Sequence, residues 1–250
     1  MPERTDNLTV VLVHGAFADA SCWNPVIERL QAKGIEVAAP PNPLRSISGD
    51  AAYINSFLKQ VPGPVLVVGH SYGGAVITNA ATDVENVVGL VYVAAFAPDE
   101  GETLGEIEGD SRDSVLFPAI IPLQYPQNGG TANELAIDPA KFHDAFAADL
   151  PTEQTVVMAV TQRPIAESIF GEPSGPPAWK SKPSWAVVPT GDTAVGSDVA
   201  RSMAERAGAT ITELEGSHVI MLSQPGAVAE VIMTAVAAVD RPTVATGGGG

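Results

Sequence analysis

The clearest chemical signal in this sequence is a serine between two glycines. Residues 64–77 read PVLVVGHSYGGAVI, so Ser71 lies between Gly69 and Gly73, where a strand-like apolar run passes into a helix-like one. A side chain that projects beyond a strand end needs a sharp turn, and the close backbone packing in that turn favours glycine at both flanking positions. We therefore predict that Ser71 is a nucleophile. A nucleotide-binding turn is disfavoured, because G-x-G-x-x-G and a phosphate-binding lysine are both missing.

A serine hydroxyl becomes a nucleophile when a base takes its proton and a third group orients that base. Among the four histidines, His218 lies on a loop after the last predicted strand, in EGSHVIM, and we expect it to be the base. His14 and His70 end predicted strands beside the serine and are expected to support the site. His143 is expected on a solvated helix face.

The orienting acid should come from the end of another strand. Asp192 directly follows a predicted strand, in VVPTGDTAVGSD, and completes the chain order Ser, Asp, His. Asp99 and Glu100, which follow an earlier strand, are reserve candidates. Asp198 begins a predicted helix and is expected to cap it.

A serine nucleophile also needs two backbone amides that face the negative oxygen of the tetrahedral intermediate. The amide of Tyr72 opens the helix after the serine, which predicts one donor. The loop LVHGAFADASCW should supply the other, with Gly15 allowing close approach and Ala16 as the nearest donor. Phe17 is the alternative donor, although its ring is expected to line a pocket or the core.

Alternating strands and helices must position these residues. We predict a mostly parallel sheet of about six strands flanked by helices, an α/β fold, because apolar strand-like runs alternate with helical patterns. The predicted strands cover residues 8–14, 35–39, 65–69, 87–95, 184–189 and 209–215. The predicted core comprises residues 1–97 and 181–240, and residues 241–250 are expected to form a disordered tail.

The alternation stops near Pro98 and resumes after Lys180. This segment contains 10 of the 21 prolines and 14 acidic residues against four basic ones. It predicts an inserted, mainly helical lid over residues 98–180, with helices near 139–150 and 153–160. Its apolar side chains are expected to form a pocket roof or the lid's own core: Phe117, Ile120, Ile121, Leu123, Tyr125, Phe142 and Phe146.

Composition excludes several classes of function. The formal net charge of −16 disfavours nucleic acid and anionic membranes as partners. The one cysteine, Cys22, rules out an internal disulfide and zinc-type cysteine spacing, and we expect it to be buried and unreactive. The first apolar run is too short for a signal peptide or a membrane span, so we expect a cytoplasmic protein. The composition leaves the oligomeric state open.

Four segments resemble the α/β-hydrolase superfamily: LVHGAFADASCW, GHSYGGAVI, VYVAAFAPDEGE and GSHVIMLSQP. They are similar to a bacterial branch related to the plant methyl esterase and hydroxynitrile lyase group. The resemblance implies an α/β-hydrolase fold with Ser71 as nucleophile, His218 as base, Asp192 as acid and the amides of Ala16 and Tyr72 as the oxyanion hole. The acid loop departs from the pattern of similar sequences, which carry an Asp-Arg pair there.

The resemblance also separates the chemistries of the superfamily. Ser71 excludes the members with an aspartate nucleophile. The related lyases carry threonine before the first oxyanion residue and lysine after the histidine, where this chain has Gly15 and Val219. The expected function is a serine carboxylesterase for small esters, without cofactor or metal.

Other functions stay open on sequence grounds. A lactonase, an amidase or carbamate hydrolase, and a perhydrolase would use the same three side chains. A non-catalytic ligand-binding protein on this fold is the alternative outside enzymology. The residues expected to line the substrate pocket are Phe17, His14, Phe117 and Tyr125.

Overall fold

The structure, a computed structural model, describes residues 7–239. Its centre is a sheet of six strands, all paired in parallel. The strands are numbered along the chain, and β5 to β7 belong to the inserted segment described below. The six strands of the central sheet are β1 (Thr9–Val13), β2 (Glu36–Ala38), β3 (Val65–His70), β4 (Val87–Val93), β8 (Ser184–Pro189) and β9 (Thr210–Leu214). Each lies where the sequence predicts a strand, which confirms the predicted sheet.

The strand order is β2-β1-β3-β4-β8-β9, so the chain reverses its direction of travel between β1 and β3. Loops that follow two such strands diverge and leave a crevice at the carboxyl edge of the sheet. Strands β1 and β3 are buried along their whole length, whereas the edge strands β2 and β9 are partly exposed. Continuous apolar runs in the inner strands and weaker ones at the edges follow from this placement.

Helices cover both faces of the sheet. They are α1 (Asn24–Ala32), α2 (Ile47–Gln60), α3 (Tyr72–Ala80), α8 (Ser197–Arg206), α9 (Ile220–Ser223) and α10 (Pro225–Val239). Side chains alternate between the faces along β4. Gly89 faces α10, where an added Cβ would be 3.3 Å from Val239. Tyr92 faces α3, where its hydroxyl bonds the Thr78 hydroxyl at 2.9 Å.

The segment between β4 and β8 contains the predicted helices and also a small sheet that we did not predict. Its helices are α4 (Leu104–Asp110), α5 (Leu116–Ala119), α6 (Phe142–Phe146) and α7 (Thr152–Thr161). Its strands are β5 (Ile120–Gln127), β6 (Gly130–Ile137) and β7 (Ile165–Ala166), which form an antiparallel sheet in the order β5-β6-β7.

This hairpin is difficult to predict from the sequence because one of its strands contains two prolines. Pro122 and Pro126 lie within β5, which is an edge strand and therefore tolerates residues that lack an N–H. The turn itself does carry a signal, because Asn128 and Gly129 both have positive φ, at 49° and 81°. An Asn-Gly pair with this geometry is typical of a two-residue hairpin turn.

No helix within residues 7–239 is long and apolar enough to cross a membrane. The predicted tail, residues 241–250, lies outside the described residues, as do residues 1–6 and 240 of the predicted core.

Candidate active site

Ser71 lies on a strained turn between β3 and α3. Its φ is 54° and its ψ is −126°, an uncommon backbone conformation for a residue other than glycine. The two flanking glycines are required by close packing. A Cβ at Gly69 would be 2.6 Å from the Gly73 carbonyl oxygen, and one at Gly73 would be 2.5 Å from the Val13 carbonyl oxygen. The turn therefore projects Ser71 at the carboxyl edge of the sheet.

His218 and Asp192 form a buried pair at the same edge. Asp192 follows β8, His218 follows β9, and His218 Nδ1 lies 2.9 Å from Asp192 Oδ2. Asp192 Oδ1 accepts hydrogen bonds from the amides of Ala194 at 2.8 Å and Val195 at 3.2 Å. Because the carboxylate accepts at Nδ1, it assigns the proton to that nitrogen and leaves Nε2 as the basic atom.

His70 connects the serine turn to the loop of His218. It immediately precedes Ser71, and its Nε2 donates to the His218 carbonyl oxygen at 3.0 Å. Its ring centroid lies 4.7 Å from that of His218. Burial, together with the neighbouring His218, holds the pKa of His70 well below its usual value, so His70 is neutral. Within residues 7–239, the Ser71 hydroxyl makes no hydrogen bond to His218; such bonds are often long until substrate binds.

The loop after β1 passes directly over the serine. A Cβ at Gly15 would be 2.6 Å from Ser71 Cβ. The Phe17 amide donates to the Arg163 carbonyl oxygen at 3.1 Å, so Phe17 is not the alternative oxyanion donor. The amides of Ala16 and Tyr72 donate no hydrogen bond to any residue that the structure describes. These two amides are therefore available to a substrate oxygen.

The Tyr72 side chain anchors the start of α3 below the site. Its hydroxyl donates to Asp50 Oδ2 at 2.8 Å, and Asp50 also accepts from the Arg45 amide. Burial raises the pKa of Asp50, although these hydrogen bonds act in the opposite direction. Sequence patterns gave no indication of this buried carboxyl.

The segment between β4 and β8, called the lid below, contacts the loops of His218 and Phe17 in two further places that we did not predict as site contacts. Asp149 accepts hydrogen bonds from the backbone amide of Ser217, at 2.9 Å, and from its hydroxyl. The Phe146 ring lies 4.9 Å from the His218 ring and 5.9 Å, edge-on, from the Phe17 ring. Ser71, Asp192 and His218 are 6%, 1% and 1% exposed, so this site is covered.

The predicted pocket residues lie in different places. A cavity of about 160 Å³ beside the loop that follows β1 is lined by Phe17, Cys22, Met158 and Leu222, among others. His14, Phe117 and Tyr125 are not among the lining residues that the structure describes.

Those three residues have other surroundings in the structure, and their place in a substrate pocket stays a prediction. Both ring nitrogens of His14 are occupied, because Nε2 accepts from the Asn42 amide and Nδ1 donates to the Gly15 carbonyl oxygen. Phe117 is 45% exposed and packs on Phe170. The Tyr125 ring lies under the Arg45 guanidinium.

The remaining candidates have other partners. Asp99 pairs with Lys180 at the surface, and Asp198 accepts from Ser111 and Arg112. Asp198 is not the helix cap that we expected, since Gly196 precedes the first residue of α8. Burial raises the pKa of the Cys22 thiol, which keeps it protonated. Residues 7–239 contain no cluster of three or more His, Cys, Asp or Glu side chains that could hold a metal ion.

A family model described as the alpha/beta hydrolase family matches residues 10–231. The chain belongs to this family. Among its relatives, this alpha/beta hydrolase is 33% identical over 107 residues to a carbendazim hydrolyzing esterase from Nocardioides sp. (strain SG-4G). That match covers 38% of this chain and 44% of the relative, so it spans less than half of the relative's length.

Solved structures resemble the alpha/beta hydrolase over almost its whole length. The crystal structure of polyneuridine aldehyde esterase has a TM-score of 0.78 at 19% identity, covering 92% of this chain and 99% of the other. A methylesterase from Arabidopsis has a TM-score of 0.75 at 20% identity, with the same two coverages. At these identities the likeness shows the fold, and it confirms the predicted α/β-hydrolase architecture.

Proposed function

We propose that this alpha/beta hydrolase is a serine carboxylesterase that cleaves small esters through Ser71, His218 and Asp192. The observation that carries this proposal is the buried His218–Asp192 pair, 2.9 Å apart, at the sheet edge where Ser71 lies on its strained turn. A buried imidazole oriented by a carboxylate is the arrangement that activates a serine hydroxyl.

In the first half of the reaction, Ser71 Oγ attacks the ester carbonyl carbon while His218 Nε2 takes the hydroxyl proton. The carbonyl oxygen becomes negative and accepts from the amides of Ala16 and Tyr72, neither of which has a partner within the described residues. Asp192 stabilises the imidazolium. The proton then passes to the alcohol oxygen, the carbon–oxygen bond breaks, and an acyl group remains on Ser71.

In the second half, water replaces the alcohol. His218 Nε2 takes a proton from the water as its oxygen attacks the acyl carbon, and the same two amides receive the negative oxygen. When the intermediate collapses, the proton returns to Ser71 Oγ and the carboxylic acid leaves. These steps balance without a cofactor.

The surroundings of the site favour small, uncharged substrates. Phe17 lines the cavity and packs on Phe146, whose ring lies 4.9 Å from that of His218, so apolar side chains connect the cavity to the base and suit an apolar acyl or alcohol group. Gly15 lies against Ser71 and leaves room for a tetrahedral intermediate, and Val219 supplies no cation next to the base. These residues favour ester hydrolysis over the related lyase chemistry.

Active-site labelling tests this function. A fluorophosphonate probe is expected to attach to Ser71, identified by mass spectrometry of the labelled peptide. Ser71→Ala is expected to lose labelling and to reduce turnover of p-nitrophenyl acetate by about a thousandfold or more. Ser181→Ala, a substitution of a serine whose hydroxyl bonds the Ala178 carbonyl oxygen, is the control and should keep both properties. Labelling elsewhere, or full turnover by Ser71→Ala, would contradict the proposal.

A further inference from the structure

A lid carboxyl is buried next to the loop that carries the catalytic acid. Glu108, on α4, is 3% exposed. Its Oε1 is in close contact with the Ser114 hydroxyl, and its Oε2 has no hydrogen-bond partner among the residues that the structure describes. An ionised carboxylate with one oxygen buried and unsatisfied is costly, whereas a neutral carboxyl needs fewer partners.

The Ser114 hydroxyl cannot satisfy all its neighbours unless Glu108 carries a proton. Ser114 Oγ lies 2.8 Å from the Ala194 carbonyl oxygen, accepts from the Leu116 amide at 3.2 Å, and also contacts Glu108 Oε1. A serine hydroxyl has one proton to donate. If the serine proton is donated to the Ala194 carbonyl oxygen, the proton in the contact with Glu108 must come from the Glu108 carboxyl. If Glu108 is ionised, it takes the serine proton and the Ala194 carbonyl loses its donor.

Ala194 belongs to the loop that orients the catalytic acid. Its amide donates to Asp192 Oδ1 at 2.8 Å, and the adjacent Thr193 carbonyl oxygen accepts from the Val115 amide at 2.8 Å. The lid segment around Ser114 therefore holds two consecutive carbonyl groups beside Asp192. A change in the hydrogen bonding of Ser114 therefore acts on Asp192 through Ala194 alone.

The surroundings of Glu108 oppose its ionisation. Burial is the largest cause and raises its pKa to about 8, with Asp192 and Asp198 adding to the shift and the Ser114 contact acting against it. Arg112 is bonded to Asp198, and Asp113 accepts from the Asp198 amide. The 3-10 turn Glu167–Gly171 packs on α4, and its Glu167 accepts from Asn133. On α4 itself, Glu106 accepts from Thr103.

We propose that neutral Glu108 is a positioning residue for the catalytic acid, an inference that rests on the proposed function. Its carboxyl proton lets Ser114 donate to the Ala194 carbonyl and so holds the loop of Asp192 in place. Loss of this proton redirects the Ser114 hydroxyl to Glu108 and releases the loop. The geometry thus couples the protonation of a lid residue to the orientation of His218 by Asp192.

The dependence of kcat/KM on pH tests this role. Wild type is expected to lose about tenfold in kcat/KM between pH 7 and pH 9, as expected for one group that titrates near the middle of that range. Glu108→Gln, whose amide can donate to Ser114 without titrating, is expected to change less than about twofold over the same range. Glu106→Gln, an exposed substitution on the same helix, is the matched control and should follow wild type. An unchanged alkaline fall in Glu108→Gln would overturn the proposal.

A second measurement does not depend on esterase activity. The infrared difference spectrum between wild type and Glu108→Gln at pH 7 should contain the carbonyl stretch of a protonated carboxyl, and this band should vanish by pH 10. Absence of the band at pH 7 would overturn the assignment even if Ser71 is labelled. If the band is present and Ser71 is not labelled, the proposed function fails and the positioning role fails with it.

Discussion

Backbone packing determines the conformation of Ser71 through its neighbours Gly69 and Gly73. The strained conformation of Ser71 persists because the start of α3 packs closely against both β3 and β1. A Cβ at Gly69, in β3, would meet a carbonyl of α3, and a Cβ at Gly73, in α3, would meet a carbonyl of β1. Strain of this kind is held by the surrounding structure and points the side chain away from the sheet. Chemistry at this residue therefore depends on the packing of its neighbours.

Asp192→Asn should keep the shape of the acid and remove its function. The amide cannot stabilise the imidazolium, and it allows the wrong tautomer of His218, so kcat is expected to fall by about 10³–10⁴-fold. Steady-state kinetics with a p-nitrophenyl ester would measure this loss. Asp99→Asn is the control, because Asp99 pairs with Lys180 at the surface and should retain wild-type kcat. Equal losses in the two variants would remove Asp192 from the proposed triad.

Tyr72→Phe should destabilise the protein through Asp50. The substitution removes the 2.8 Å hydrogen bond from the hydroxyl and leaves Asp50, which is 1% exposed, with one partner fewer. The free energy of unfolding is expected to fall by about 1–3 kcal/mol in urea titrations. Tyr53→Phe, on α2 with a 44% exposed side chain, should be neutral. A neutral Tyr72→Phe would mean that the pair contributes nothing net.

At the scale of elements, the effect of close packing at the strand-to-helix turn can be tested by comparing a substitution there with one on α4, where a glycine has no close neighbours. Gly73→Ala should lower the free energy of unfolding by about 3 kcal/mol or more, because the new Cβ would lie 2.5 Å from a buried carbonyl oxygen. Gly109→Ala meets nothing within 4 Å and should raise stability by about 0.5–1 kcal/mol, since it adds helix propensity to α4. Thermal and urea unfolding would rank the two variants, and the reverse order would contradict this account.

The elements of the core could be predicted because each carries a local pattern. Strands such as β1 and β3 are continuous apolar runs, and their residues are buried on both faces. The hairpin of β5 and β6 was missed because two prolines break the strand pattern, although Asn128-Gly129 marks its turn. The short lid helix Phe142–Phe146 is also much shorter than its predicted span, since apolar spacing alone does not reveal where a helix ends.

The candidate site likewise contains residues that a local sequence pattern predicts and residues that it does not. Ser71, Asp192 and His218 could be predicted because each follows a recognisable strand. Glu108 and Asp149 could not, because Asp149 binds a residue 68 positions away in the chain and Glu108 acts through Ser114, whose partner Ala194 is 80 positions away from it. No short pattern in the sequence records such a contact, and an acid in a lid rich in acids is not conspicuous.

At the scale of the whole molecule, stability should depend on pH through Glu108. A carboxyl whose pKa is raised in the folded state binds its proton there at pH values where the unfolded chain has lost it, so stability falls as pH rises from about 4.5 to about 8. Relative to Glu108→Gln, wild type is expected to lose about 3–4 kcal/mol between pH 5 and pH 8. Urea titrations at both pH values would measure the difference. A constant difference would show that Glu108 does not titrate in this range.

The net charge of the molecule should also discriminate between substrates. A chain with a formal charge of −16 repels anions, so a neutral ester should have a higher kcat/KM than an anionic ester of the same size. Added salt screens this repulsion, so the difference in kcat/KM between the two esters should become smaller as the ionic strength is raised from a low value to about 0.5 M. A preference for the anionic ester, or a gap that salt leaves unchanged, would count against this electrostatic account.

The lid contacts three of the loops that the proposed reaction uses: the loop after β1 and the loops of Asp192 and His218. The Arg163 carbonyl holds the amide of Phe17, Ser114 lies against the acid loop, Asp149 binds the residue before the base, and Phe146 covers its ring. Exchanging the lid for that of a relative would therefore alter the rate as well as the choice of ester. Evolution of new substrate ranges in this protein should proceed by paired changes, with each lid replacement accompanied by compensating substitutions in the loops beneath it.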